Sequence, residues 1–421
     1  MRVVDVLRTS NPSAKQLTAS WTLVLMAFTS FVLLAGSARA QTFKVRYAFN
    51  GGPDGSLSQP FADLAEDAAG NLYGTTTGIS CLNGCNFAPG AIFKLNTNGK
   101  LTTLHTFNCA TEGCMPFSGV VGDKSGNIYG TTQASGLNGG SVYRLNATAY
   151  ETLHSFTGPD GKSPQSQLLR DASGNLYGTT PAGGDFNDGV AFEISSAGEF
   201  TVLHSFAGGQ DGETPIRGLV MDTQGNLYGT TELGGGSGCT FHLGCGTVFK
   251  IDPNGQEKVL YSFAGGTDGS SPQSDLLLDR AGNLYGTTVV GGGLGCQGNG
   301  CGTLFKVDAN GVETVLYRFT GGSDGANPVA GLVTDGSGNL FGTTSSGANG
   351  YGTVFALRPN GKEVALHQFT GSTDGANPMA KLIRDSHGTL YGTTRSGGNV
   401  QCPYAIEFVP GCGVVFSISL P

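Results

Sequence analysis

The stretch Pro272–Phe319, PQSDLLLDRAGNLYGTTVVGGGLGCQGNGCGTLFKVDANGVETVLYRF, contains four short apolar runs separated by turn residues. They are PxxxLLxD (Pro272–Asp279), GNLYGTT (Gly282–Thr288), GTLFKV (Gly302–Val307) and VLYRF (Val315–Phe319). Runs of this length with alternating side chains read as half-buried strands, named A to D below. Asp-x-x-Gly-Asn between A and B, and Asn310-Gly311 between C and D, are tight-turn signals and make each pair a hairpin.

Outward from this stretch, YGTT or a near match begins at Tyr73, Tyr129, Tyr177, Tyr228, Tyr285, Phe341 and Tyr391, at spacings of 56, 48, 51, 57, 56 and 50 residues. Four short strands in a repeat of about fifty residues is the pattern of a propeller blade. A β-solenoid is the rival, but its coils are shorter and lack two hairpin signals per unit. At the ends, FKVRYAF (Phe43–Phe49) matches strand D and GVVFSI (Gly413–Ile418) matches strand C. The expected fold is therefore all-β: a seven-bladed β-propeller with four antiparallel strands per blade, closed when the N-terminal strand completes the last blade. Closure removes the exposed edges that invite aggregation.

Glycine, 71 of 421 residues, is more than twice as frequent as the usual ~7%. Apolar residues still recur in short runs bounded by Gly, Asn, Asp and Pro, which describes strands and turns and argues against disorder. GNLYGTT followed by GTVFK, LxxF and DGxxP resembles the bacterial GloVer tandem-repeat family, exported proteins with variable C-terminal anchors, over residues 43–418. More loosely, D-x-x-G-N-L-Y is similar to NHL and gluconolactonase-type propellers. The first resemblance implies export and surface display and carries no established chemistry. The ending Ser419-Leu420-Pro421 has no recognisable sorting tail.

Arg2, Arg8 and Lys15 precede an apolar run from Trp21 to Ala35, followed by Ala38-Arg39-Ala40. This reads as a signal peptide over residues 1–40 and leaves 41–421 as one propeller domain. The run is shorter than the ~20 residues a membrane span needs, and no later stretch is long enough. Cleavage removes four bases and one acid, leaving 19 against 30, a charge of −11. Such a surface repels phosphate backbones, so nucleic acid is not an expected partner. The expected product is an exported monomer that is extracellular, at the cell surface or periplasmic.

Several repeated polar residues read as structural. Asp67, Asp123, Asp171, Asp222, Asp279, Asp335 and Asp385, each with a Gly three residues on, belong to the A–B turns. His105, His154, His204 and His367 share one strand-D position with Tyr47, Tyr261 and Tyr317, which describes a half-buried aromatic slot. The DGxxP loops at Asp54, Asp211, Asp268, Asp324 and Asp374 are turns first. Calcium is the one cofactor they suggest, yet it takes six to eight oxygens and each loop offers one or two carboxylates.

The ten cysteines fall into five local pairs, Cys81/Cys85, Cys109/Cys114, Cys239/Cys245, Cys296/Cys301 and Cys402/Cys412. In an exported chain these read as disulfides; zinc would need further ligands beside each pair. Four pairs lie in long B–C loops and one in a D–A loop, all on the same face. Rigid, varied loops on one face are how binding surfaces are commonly made. Near that face, Asp63, Gly119, Gln167, Gly218, Asp275, Gly331 and Lys381 share one strand-A position, with Arg217 beside it. Asp63, Gln167, Arg217, Asp275 and Lys381 are the candidate binding residues of a channel mouth. No nucleophile elbow, HExxH or phosphate loop is present, so no catalytic residue or metal centre is assigned. The expected function is non-enzymatic binding of a glycan, peptide or envelope component. The alternative is a metal-dependent lyase or lactone hydrolase in the channel, for which Asp63, Glu66 and Asp275 mixed with Arg217 and Lys381 make a poor cage.

The longest B–C loop, Arg395–Cys412, places Tyr404, Ile406 and Phe408 inside an expected disulfide. So apolar a segment either plugs the channel mouth or stands out as a partner-binding hairpin; the plug is favoured because a large exposed apolar patch is unusual on a monomer. Replacing Ile406 and Phe408 by serine should lower the melting temperature if the loop is a plug. A binding loop would keep its stability and lose its partner, and unchanged melting with unchanged binding would exclude both.

Overall fold

Each GNLYGTT segment forms a five-residue strand B, from Leu72–Thr76 in blade one to Leu390–Thr394 in blade seven. The Asp before it explains why the chain turns there. Asp67 Oδ1 accepts the N–H groups of Ala69 and Asn71, while Oδ2 accepts from the Asn71 side chain and the Tyr73 hydroxyl. The motif's first Tyr thus belongs to the turn, and where Phe341 replaces it Asp335 keeps its bonds to Ser337 and Asn339 alone.

The computed structural model describes residues 41–52, 58–78, 89–134, 139–236, 239, 244–399, 402 and 409–420. Seven four-stranded antiparallel sheets, each in the order A-B-C-D, form a seven-bladed β-propeller within the unit Thr42–Ser419. Strand A is reduced to two residues in every blade, as in Leu277–Leu278. The seventh sheet pairs Thr42–Ala48 with Val414–Ser419, setting Phe43 opposite Ile418 and Ala48 opposite Val414. The N-terminal strand is therefore the D strand of blade seven, as the sequence predicts.

The core follows from two glycine contacts. In blade five, Gly286 of YGTT lies opposite Phe305, and a Cβ on it would sit 2.6 Å from Phe305 Cζ. Only glycine leaves room for that ring, and the same pairing recurs from Gly74–Phe93 to Gly392–Phe416. Each buried strand-C ring then meets the strand-D Phe of the preceding blade edge to face, at centroid distances of 5.0–5.3 Å. The second contact is the Gly that opens GTxF. Gly302, at φ +96°, packs under Pro328 of the next blade, where a Cβ would lie 2.6 Å from the proline ring. Gly413 does the same beneath Pro60 and so joins blade seven to blade one.

Deleting residues 41–50 should expose the edge of Val414–Ser419 and remove Phe49 from its contact with Phe93. The expected outcome is aggregation or loss of cooperative melting. A truncated protein that melts cooperatively at the wild-type temperature would overturn this account of closure.

Candidate functional site

Strand A enters the hub behind the wedged proline, and three residues later its side chain joins a closed ring around the hub. Large and absent side chains alternate there: Asp63, Gly119, Gln167, Gly218, Asp275, Gly331, Lys381. A Cβ on Gly119 would lie 2.8 Å from Gln167 Nε2 and 2.9 Å from Asp63 Cβ, and one on Gly331 would lie 3.0 Å from Asp275 Cβ and 3.1 Å from Lys381 Cδ. Longer side chains therefore lean across the glycines. The structure brings the sequence-selected residues together.

Four of these side chains, those of Asp63, Gln167, Arg217 and Asp275, are tethered to backbone groups. Asp63 Oδ1 accepts the Lys381 N–H at 2.7 Å, Asp275 Oδ1 accepts the Gly218 N–H at 2.7 Å, and Gln167 Nε2 donates to Val120 O at 3.0 Å. Arg217 occupies a position that is Ala or Ser in the other six blades (Ala62, Ser118, Ser166, Ser274, Ala330, Ala380). Its Nε donates to Gln273 O at 2.6 Å, and Gln273 Nε2 in turn donates to Glu232 Oε1 at 2.6 Å. Enclosure in the hub, followed by the nearby Asp275 charge, pushes the Asp63 carboxyl up to about 7, against the opposing pull of Lys381 and Arg217. Two carboxyls and two cations thus share one poorly hydrated field. Above them Phe61 and Phe117 meet edge to face at 5.2 Å, and the Arg395 guanidinium lies 4.8 Å from the Phe61 centroid. Sequence reasoning missed Glu232, Gln273 and Arg395; the departure of Arg217 from its small neighbours was the signal available.

The repeated polar residues are accounted for by the fold. In six blades the A–B Asp accepts from the Asn side chain four residues on. The strand-D slot alternates between His and Tyr because Nε2 and the phenolic hydroxyl reach the same carboxylate: His154 meets Asp160 at 2.8 Å and Tyr261 meets Asp268 at 2.9 Å. That carboxylate also accepts a backbone N–H, from Thr157 and Ala264 respectively, so these loop oxygens are held by protein donors that compete with a calcium ion.

Disulfides join Cys239–Cys245, Cys296–Cys301 and Cys402–Cys412. Cys109 and Cys114 stand side by side as thiols in hydrogen-bond contact. Their D–A loop is already held by Glu112, whose carboxylate accepts the Asn108 N–H and meets His105 Nε2. Burial, then the neighbouring Cys109, pushes the Cys114 thiol up to about 12. Cys81, Cys85, Tyr404, Ile406 and Phe408 lie outside the described residues. A cavity of about 580 Å³ that the sequence did not suggest opens between the A–B hairpins of blades one and two, lined by Ala65, Glu66, Tyr73, Lys124 and Ile128.

The fold and hub define a β-propeller repeat protein. Matches over residues 35–243 and 240–421 assign it more narrowly: the chain belongs to the Gloeobacter/Verrucomicrobia repeat family. Among solved structures it is similar to virginiamycin B lyase from Staphylococcus aureus, with TM-score 0.58 and 13% identity over 90% of this chain and 100% of that one. It is also similar to the extracellular domain of a proposed one-component system from B. thetaiotaomicron, with TM-score 0.53 and 13% identity, covering 90% of this chain and 42% of that one. A proposed gluconolactonase aligns with TM-score 0.42 and 13% identity over 90% and 92% of the two chains. At such identities the likeness concerns the fold. None of the curated proteins matches the chain.

Two acids on the outer rim give the pH dependence a sign. Burial, followed by the charge of the neighbouring loop Asp, pushes Glu313 (beside Asp268) and Glu363 (beside Asp324) up to about 7, and Oε1 of each is buried without a hydrogen-bond partner. Unfolded, both ionise near ~4.3. Between those values the folded chain holds more protons, so their contribution to stability falls as pH rises from about 4.3 to 7 and is level on either side. The double variant Glu313→Gln/Glu363→Gln should gain on the wild type by roughly 1–3 °C in melting temperature between pH 5 and pH 8, solvent screening having reduced the effect. A gap that narrows over that range would contradict the assignment.

Proposed function

We propose that this chain is an exported binding module whose loop face admits one end of a polar ligand, a glycan or a peptide, into the mouth of the hub. The observation that carries this reading is a break in the seven-fold pattern at the hub. Asp, Gly, Tyr, Thr and Phe of the repeat are consumed by turns and packing, whereas Asp63, Gln167, Asp275 and Lys381 at one level, with Arg217 at the position before it, differ from blade to blade. Charges already held by backbone bonds recognise a polar group with little further loss of freedom. Around them, disulfides brace the B–C loops of blades four, five and seven. Phe186 and Leu294, 58% and 89% exposed in the B–C loops of blades three and five, offer apolar contact area. The disulfides and the likeness to an extracellular domain support an oxidising, extracytoplasmic setting. No helix of the described residues is long and apolar enough to cross a membrane.

Glycan and peptide arrays probed with the mature protein should yield a ligand class that Arg217→Ala/Lys381→Ala binds more weakly by about ten-fold or more, a loss of ~1.4 kcal/mol. Circular dichroism should find the variant folded. Binding that the double variant retains in full would remove the hub from the site. Turnover of a bound compound by the wild type would replace this reading with a lyase or lactone hydrolase.

A further inference from the structure

We propose that the outer rim between blades three and four is a binding site for one zinc-type divalent ion, held by His204, Asp211 and Glu257.

The argument rests on where two repeating patterns coincide. The first is the strand-D slot, where a His or Tyr faces the carboxylate of the following loop; His204 Nε2 lies 3.1 Å from both oxygens of Asp211. The second is the residue that opens strand D of the next blade and covers this pair. Over three of the histidines it is an aromatic ring: Tyr150 stacks on His105 at 4.7 Å, Phe200 on His154 at 3.7 Å and Phe43 on His367 at 3.7 Å. Beside the tyrosines Tyr261 and Tyr317 the covering residues are Glu313 and Glu363, whose carboxyls face Asp268 and Asp324. Among the described residues, His204 alone of the strand-D histidines has a glutamate, Glu257, as the residue that covers it from the next blade.

One ligand atom from each of His204, Asp211 and Glu257 lies within 4.8 Å of the others. Tetrahedral ligands at ~2.0–2.1 Å from zinc stand roughly 3.4 Å apart, so small side-chain rotations close the site. Glu257 Oε1 is buried without a donor, as Glu313 and Glu363 Oε1 are, but here the carboxyl faces an imidazole as well as the Asp211 carboxyl, and a cation would satisfy all three groups. Asp211 Oδ2 accepts the Ala207 N–H at 2.7 Å, which orients the carboxylate as an outer-shell bond orients a metal ligand. All three residues retain partial exposure, leaving room for water as a fourth ligand. Two facing carboxyls need a proton or a cation between them, and imidazole as the third donor favours zinc-type ions over calcium or magnesium.

Titrating chelator-treated full-length protein with zinc in a calorimeter should give one equivalent, and zinc should raise the melting temperature. His204→Tyr recreates the Tyr–Asp–Glu arrangement already present in the next two blades, so it should fold while losing affinity by more than about ten-fold. Glu257→Gln should lose it likewise, and Glu313→Gln should bind as the wild type does. Absence of zinc binding by the wild type, or binding that survives both His204→Tyr and Glu257→Gln, would overturn the proposal.

Discussion

The edge-to-face contact between the last Phe of one blade and the strand-C ring of the next is the interaction on which the architecture depends. It occurs at all seven joints, including Phe369–Phe416 and Phe49–Phe93 on either side of the seam. Such pairs add ~0.5–1.5 kcal/mol each beyond the burial of their rings. The contact exists only because the YGTT glycine vacates the space over the strand-C ring. A glycine-rich sequence is thus compatible with a dense core: its glycines are the complement of its phenylalanines.

That arrangement decides where variation is tolerated. The positions fixed by packing are the Pro that enters strand A, the Leu behind it, the turn Asp, YGTT and the two Phe residues. Between Pro and Leu the residues Asp63, Gln167, Arg217 and Asp275 tie one blade to the next by polar bonds rather than by close packing, so their identity can differ from blade to blade. The alternation of glycine with Asp63, Gln167, Asp275 and Lys381 is a packing solution as well as a chemical one, because seven large side chains at that level would collide. Arg217 reaches its neighbour's Gln273 carbonyl from a position where the other blades keep Ala or Ser.

Much of this was legible in the sequence because it is local and repeated. Strand identity, blade count, closure by Phe43–Phe49 and convergence of the strand-A residues all follow from period and register. What escaped depends on contacts between blades or on loop conformation. The exchange of His for Tyr could be read as a slot, but not the carboxylate that accepts from both, which sits six or seven residues away across a turn. Glu257 looks like an ordinary strand residue until it is placed against His204, 53 positions earlier. Cys109/Cys114 and Cys296/Cys301 have the same separation; the second pair is bonded, and the first stands as two thiols in contact.

Hub and rim solve one electrostatic problem differently. Both bring carboxyl groups together away from bulk water, which favours their neutral forms. At the rim, Glu363 faces Asp324, and neutrality is reached by retaining a proton. In the hub, Lys381 and Arg217 offset part of that cost and pull the Asp63 carboxyl back toward ionisation. The hub therefore sets opposite charges side by side, with the side chains of Asp63, Asp275 and Arg217 each held by a backbone group. A partner entering there meets donors and acceptors whose desolvation has largely been met by folding, so hydrogen-bond complementarity, more than net charge, sets what the hub would select.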